Sequence, residues 1–567
     1  MTELHWGDLV VILGYFVLCI LVGLWSSFKE NTGSVKGYFL AGRNMIWAPI
    51  GASMFATNFG SHFFVGMAGT AAASGLGVVI YEWHAIFMLI LLGWVFVPVY
   101  VASGVYTMPE FLKKRFGGKR LRITLSVMSI FFLIVQRISV SMYAGAIFIQ
   151  QSLGWNMYLS IVSVTLITAV YTIIGGLTAV IWTDTLQTVI MIIGSTYLTI
   201  ASFIKVGGIE ALFEKYMNAV PNVTTCGNVT MGYPRDDALH IFRDPATSDI
   251  PWTGAILGLT PMAILAWCTD QVMVQRVLAA KTHSHAKGGV IFAAWLKITP
   301  FFLVILPGMI GRVLFPDEIG CVDPDICMKV CENPNGCSNI VYPKLVIEIL
   351  PAGKVSQIFY EILAPGYETS VIPFSPPGVR GLMLACMLSA LMSTLTSVFN
   401  SSSSMFTLDL WTRFRRKASE RELMIVGRAF ILVLVVISIL WIPILTANQG
   451  GQLWNYLQAM MAYLAPPWVV IFILGIAWKR TTEKGAFWSL MAGLAVGGSR
   501  LVIDLVYQKP TCGEEETRPA ILYKVHFLHF AIILTGVVFI VCVVVSLFTQ
   551  PRDEVKVSLL TLLNSFN

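Results

Sequence analysis

Apolar runs of about 20 residues, long enough to cross the hydrocarbon core of a bilayer as a helix, recur along the whole chain. About thirteen such stretches begin near residues 8, 46, 76, 123, 156, 179, 253, 286, 379, 422, 450, 482 and 525. They predict an all-α polytopic membrane protein, because a helix satisfies its own backbone groups inside lipid. The first stretch, Asp8 to Ser27, lacks a basic leader and a small-residue cleavage site and is too long for a signal-peptide core. It reads as a retained helix.

Several stretches carry groups that a plain lipid anchor avoids. Met54 to His62 reads Met-Phe-Ala-Thr-Asn-Phe-Gly-Ser-His, a small and polar segment at mid-span where the backbone can unwind and free carbonyls for a cation. The plain alternative is a kinked, inert helix. Ser389 to Ser404 sets hydroxyls on several faces of one predicted helix. Neutral hydroxyl and carbonyl oxygens suit a hard cation such as sodium, although Ser and Thr in membrane helices also bond their own backbone. Glu82, Arg137, Asp184, Asp270 and Lys297 lie within or beside apolar runs, where each marks either a functional site or a buried structural pair. Polar groups near Tyr81, Trp83, Trp267, Trp295 and Trp454 suit a sugar, with hydroxyls to bond and an apolar ring face to stack.

Composition agrees with lipid as the main solvent. The chain is 56% hydrophobic and 12% charged, where a soluble protein carries about 25% charged residues. The net charge of +7 sits in clusters between spans: 113–122, Arg276 with Lys281 and Lys287, 413–421 and 479–484. That spacing points to topology and not to nucleic acid. The positive-inside rule makes these loops cytoplasmic, with the N-terminus outside and the tail after Phe548 inside. Span counting places the loop Lys205 to Trp252 outside, with glycosylation sequons at Asn222 and Asn228. Cys321, Cys327, Cys331 and Cys337 fall in the next outer loop, and Cys226 and Cys512 in two others, where disulfides can form. A zinc site is the rival use of the four clustered cysteines, although the paired C-x-x-C spacing is absent. Cys19, Cys268, Cys386 and Cys542 read as small buried apolar residues.

No Walker loop, G-x-S-x-G elbow or H-E-x-x-H is present. The chain is therefore read as no enzyme, and any pumping must draw on an ion gradient.

Six motifs carry a resemblance: Tyr38-Phe-Leu-Ala-Gly-Arg43, Tyr106-Thr-Met-Pro-Glu-Phe-Leu-Lys-Lys-Arg-Phe-Gly-Gly118, Trp182-Thr-Asp-Thr-Leu-Gln-Thr188, His240-Ile-Phe-Arg-Asp-Pro245, Trp267-Cys-Thr-Asp-Gln-Val272 and Lys484-Gly-Ala-Phe-Trp488. In this order they closely resemble the vertebrate sodium/glucose cotransporter family, from about residue 7 to 550. Phe315-Pro-Asp-Glu-Ile-Gly-Cys-Val-Asp-Pro-Asp325 and Cys512-Gly-Glu-Glu-Glu-Thr-Arg-Pro519 resemble its mannose/fructose and myo-inositol branch.

The resemblance implies a single transporter domain, 1–550, with a LeuT-like fold of two inverted five-helix repeats. The repeats would span about 46–204 and 253–480, with an extra helix at 8–27, flanking helices at 482–549 and a cytoplasmic tail at 551–567. It implies sodium as coupling ion and no organic cofactor. The main sodium site would be the carbonyls of Ala56, Phe59 and Ala390 with the hydroxyls of Ser393 and Thr394, and a second would use Asp184, Ser393 and Thr396. Substrate contacts would be Asn58, Glu82, Trp267, Lys297 and Gln458. Expected local disulfides are Cys321–Cys327 and Cys331–Cys337, with Cys226–Cys512 joining two outer loops. A plasma-membrane location follows, and the family leaves room for a small single-span accessory subunit.

The chain also departs from the pattern. Ser61 is followed by His62 and Phe63, where the family has a glycine and then His or Leu. The inner-gate tyrosine is Ala266, and Ser141 stands where an aspartate would pair with the cation at Arg137 one turn earlier, which leaves Arg137 short of an i+4 partner. Within the outer loop 315–378, residues 354–378 read as an insertion. Sodium-driven symport of a hexose or myo-inositol is the first reading. A sugar-gated sensor and a sodium symporter for a non-sugar solute stand beside it.

Overall fold

Apolar segments without water close every backbone hydrogen bond within themselves, so the chain is almost wholly helical. A computed structural model describes residues 5–29, 34–153, 156–226, 229–350, 378–447, 452–507, 510 and 516–552. Among these the sheet is limited to a short antiparallel ribbon of Thr225–Cys226 and Val229–Thr230 in the loop between 205 and 252. Residues 354–377 of the expected insertion, Asn228 and Cys512 lie outside the described residues.

Among the described residues, ten helices are long and apolar enough to cross a membrane, or 11 if Gly254–Thr269 and Gln271–Leu278, bent by 42°, form one broken span. Two of the expected stretches do not stand as separate members of that set. The one near 46 becomes Trp47–Asn58, only 12 residues, because the helix stops at Phe59. The one near 156 forms the first part of one long helix, Met157–Val206, and runs without a hydrogen-bonding break into the next span. Within that 50-residue helix, Met157–Val206, Gly176 at φ 58° makes the kink. A Cβ there would lie 2.7 Å from the Tyr38 carbonyl oxygen, so the position needs glycine both for its left-handed backbone and for the close approach.

Val379–Met405 forms the axis of the molecule, with nearly every side chain buried. Met157–Val206 packs along it and also along Trp6–Lys29 and Trp47–Asn58. The serines and threonines of Val379–Met405 therefore face protein and not lipid. Leu13 and Leu440, on peripheral helices, are more than half exposed, as lipid-facing side chains are.

Three buried ion pairs tie residues before 204 to residues after 253: Glu82–Lys297, Arg137–Asp270 and Asp184–Arg276. Arg276 departs from its expected place in a basic loop. It lies on Gln271–Leu278 and is fully buried. Arg137 likewise has a partner across the molecule, Asp270 at 2.9 Å, and is not left short by the loss of an acid one turn along its own helix.

Candidate functional site

The helix Trp47–Asn58 ends because the chain turns at Phe59 (φ −79°, ψ 63°). The Gly60 N–H donates to Asn58 O at 2.9 Å and the Phe63 N–H to Gly60 O at 3.0 Å. In a continuous helix these two donors would serve the carbonyls of Ala56 and Phe59. The break thus frees the two carbonyls expected in the main sodium site. The chain becomes helical again through wide turns over Phe63–Met67 and runs on to Ser74.

The hydroxyl-rich axis helix packs on this break. Thr394 Oγ1 donates to Ala390 O at 3.1 Å and lies 3.3 Å from Thr57 O, and a Cβ on Gly60 would come within 2.6 Å of it. Ser393 Oγ donates to Asp184 Oδ1 at 2.6 Å. On the other carboxylate oxygen, Ser53 Oγ donates at 2.5 Å and the Arg276 guanidinium at 3.2 Å. Arg276 also donates to Ser53 and Thr57, each at 2.6 Å, and to Ser397. The geometry brings Ala390, Ser393, Thr394 and Asp184 to one side of the break. Thr396 turns its hydroxyl to the Ser393 carbonyl at 3.0 Å. Arg276 was not among the expected site residues. The signal available was its position six residues after Asp270 in a segment with no other charge.

On the far side of the break lies a cavity between the helices. Asn58, Glu82, Trp267 and Gln458 of the expected contacts line it, as do Phe63 and Ala266. Lys297 stands just behind this wall. Its Nζ donates to Glu82 Oε2 at 2.7 Å and to Asn58 Oδ1, and lies 4.9 Å and 5.1 Å from the centroids of the Trp267 and Phe63 rings. The ammonium holds two contact residues in fixed positions, while both aromatic faces stabilise its charge. Arg137 lines the cavity and pairs with Asp270, which also accepts from Val272 N–H at 3.0 Å and caps Gln271–Leu278. Each charge at the cavity therefore has a neutralising partner. Phe63, Trp267 and Met461 line the same space that Ala266 opens. Ser141 lies 3.4 Å from His62, so it helps to position that ring.

The cysteine-bearing loops expected outside do not line this cavity. Cys321–Cys327 and Cys331–Cys337 are bonded, and Cys226 is also in a disulfide. Asn222 is exposed, and its backbone N–H and side-chain amide donate to Asp317 at 2.6 and 2.9 Å. Arg243, from the His240 to Pro245 motif, is fully buried and ties the loop to the Ser74 carbonyl and to Asp249. Nearby, the Arg235 guanidinium holds the Asp237 carboxyl below its ordinary value.

A sequence profile of the sodium:solute symporter family matches residues 38–364 and 367–493. The chain is 52% identical over 558 residues to sodium/glucose cotransporter 4 of Mus musculus, which covers 98% of this chain and 78% of the relative. It is 52% identical over 555 residues to sodium/myo-inositol cotransporter 2 of Homo sapiens, with the same two coverages. Among solved structures, the substrate-bound outward-open state of a Na+-coupled sialic acid symporter matches with a TM-score of 0.74 at 22% identity, over 97% of this chain and 100% of that chain. At that identity the likeness is one of fold.

Proposed function

The chain belongs to the sodium:solute symporter family, and from that premise we propose that it carries a sugar or polyol across the plasma membrane together with sodium by alternating access. It is a transporter and not an enzyme. One observation carries the reading: the break at Phe59 and Gly60 has a hydroxyl-rich helix on one side and an aromatic, polar cavity on the other. A single unwound segment thereby touches both the ion and the solute, which is the contact that coupling requires.

The main sodium sits among the Ala56, Phe59 and Ala390 carbonyls and the Ser393 and Thr394 hydroxyls. A second ion at Asp184, Ser393 and Thr396 would share its carboxylate with Arg276. The solute lies against Asn58, Glu82, Trp267 and Gln458, with Lys297 holding Glu82 and Asn58 in place. At 100 mV each sodium ion contributes about 2.3 kcal/mol, enough for a gradient of roughly fortyfold. The N-terminus is outside, the tail inside, and Asn222 and Asn228 bear glycans.

Uptake by injected oocytes, with and without sodium, against a panel of hexoses and myo-inositol tests the proposal. Sodium-dependent accumulation of at least one of them is expected. A solute-evoked sodium current without accumulation would turn the reading to a sensor, and sodium-dependent uptake of none would sink it.

A further inference from the structure

Three buried polar groups on residues that line the cavity have no hydrogen-bond partner among the described residues: the Tyr81 hydroxyl, the Trp454 indole N–H and the Gln136 side-chain carbonyl. Their residues are 6%, 3% and 4% exposed, and all three line the cavity. Burying a polar group without a partner is costly, and the penalty is usually relieved by a ligand or ordered water. The three residues belong to three different helices.

Packing fixes their positions. The Trp454 ring meets Tyr81 edge-on at 5.6 Å and Phe63 at 5.3 Å, and faces His62 at 6.3 Å. Gln136 is held beside Arg137, whose charge is occupied by Asp270. Glu82 and Lys297 occupy each other in the same way. The cavity thus offers fixed, neutral hydrogen-bonding groups, and its charges are neutralised in pairs. An anionic or cationic solute would find no free counter-charge among the described residues.

We propose that Tyr81, Gln136 and Trp454 are specificity-determining residues, forming a second polar wall that reads the hydroxyls a neutral ring polyol presents away from Asn58, Glu82 and Gln458. The inference rests on the functional reading above and extends it. The indole N–H needs an acceptor, the Gln136 carbonyl needs a donor, and the Tyr81 hydroxyl takes either. A ring hydroxyl is both donor and acceptor, so three hydroxyls satisfy all three groups. A solute lacking one of them leaves a wall group unpaired, which is the arrangement that rejects deoxy analogues most strongly.

The test is uptake kinetics in Tyr81→Phe, Gln136→Met and Trp454→Phe, each corrected for surface amount, with the best hexose or cyclitol and its set of monodeoxy analogues. Each variant should raise KM for the parent solute about tenfold and lose discrimination against one analogue while keeping it against the others. Tyr81→Phe removes one oxygen at nearly constant shape and decides the matter if either of the other two fails to reach the surface. Unchanged KM, or an equal rise for parent and every analogue, would overturn the proposal. If the parent chain took up no hexose or cyclitol at all, the functional reading would fail and this inference with it.

Discussion

Ser393 and Thr394 are adjacent on one helix yet hold different partners. Ser393 donates to the Asp184 carboxylate, and Thr394 lies between the Ala390 and Thr57 carbonyls. Each hydroxyl is one of few neutral oxygens near the break, so Ser393→Ala and Thr394→Val should each raise the half-saturating sodium concentration about tenfold. Sodium activation curves for uptake, or for leak current, check this, and parental curves in both variants would refute the site. Ala266 poses a different question. Phe63, Trp267 and Met461 line the same cavity as Ala266, and we propose that their bulk reshapes the pocket in place of the missing ring. Ala266→Tyr should overfill it and cut uptake about tenfold or more. Higher glucose uptake with less substrate-free sodium current would show instead that the parent gate is defective. The residue types for this site were readable in the sequence, because carbonyls freed at a glycine and hydroxyls on an apolar helix are visible in the pattern itself. Arg276 was not, since a basic residue one turn inside a helix and one in a loop look alike when only the neighbouring charges are counted.

Among the elements, broken helices decide both what was legible and what was not. The small, polar segment Met54 to His62 announced its break, and the backbone departs from helix at Phe59 within it. The same break defeats span counting, because Trp47–Asn58 alone is too short to pass as a span, while Met157–Val206 runs through a kink that hydrogen-bond continuity conceals. The pairing of Arg137 with Asp270 was hidden for another reason. Periodicity reports only partners three or four residues away, and Asp270 sits at the break of a different span. Breaking a buried pair by removing one partner costs about 3–5 kcal/mol. Asp270→Asn should therefore strongly reduce surface delivery, and Arg137→Gln with Asp270→Asn should recover most of it. Surface biotinylation measures both, and normal delivery of the single variant would show that the pair adds little to stability.

At the scale of the whole molecule, the outer loops offer a check on orientation. Asn222 is exposed beside Asp317, and the bonded cysteines follow in the neighbouring loop segment, both on the side proposed to be outside. Glycosidase treatment should shift the mobility of the surface protein, and non-reducing peptide mapping should recover Cys321 with Cys327 and Cys331 with Cys337. Free thiols at these four positions would overturn the assigned sidedness.

The three buried ion pairs also set a timetable for synthesis. Glu82 precedes Lys297 by 215 residues, and Asp184 precedes Arg276 by 92. At about 5–20 residues per second, Glu82 waits roughly 10–40 s for its partner after it leaves the ribosome. A lone carboxylate near mid-bilayer costs about 2.5–3.5 kcal/mol on insertion scales, so the early spans are held less firmly in lipid during that interval. The nascent first half should therefore be more exposed to quality control until the second half arrives to neutralise it. A chain cut at residue 252 should accordingly be degraded faster than one cut at residue 314, which already contains Asp270, Arg276 and Lys297. Pulse-chase lifetimes of the two fragments would show it, and equal lifetimes would mean that the unpaired charges are tolerated while the rest of the chain is made.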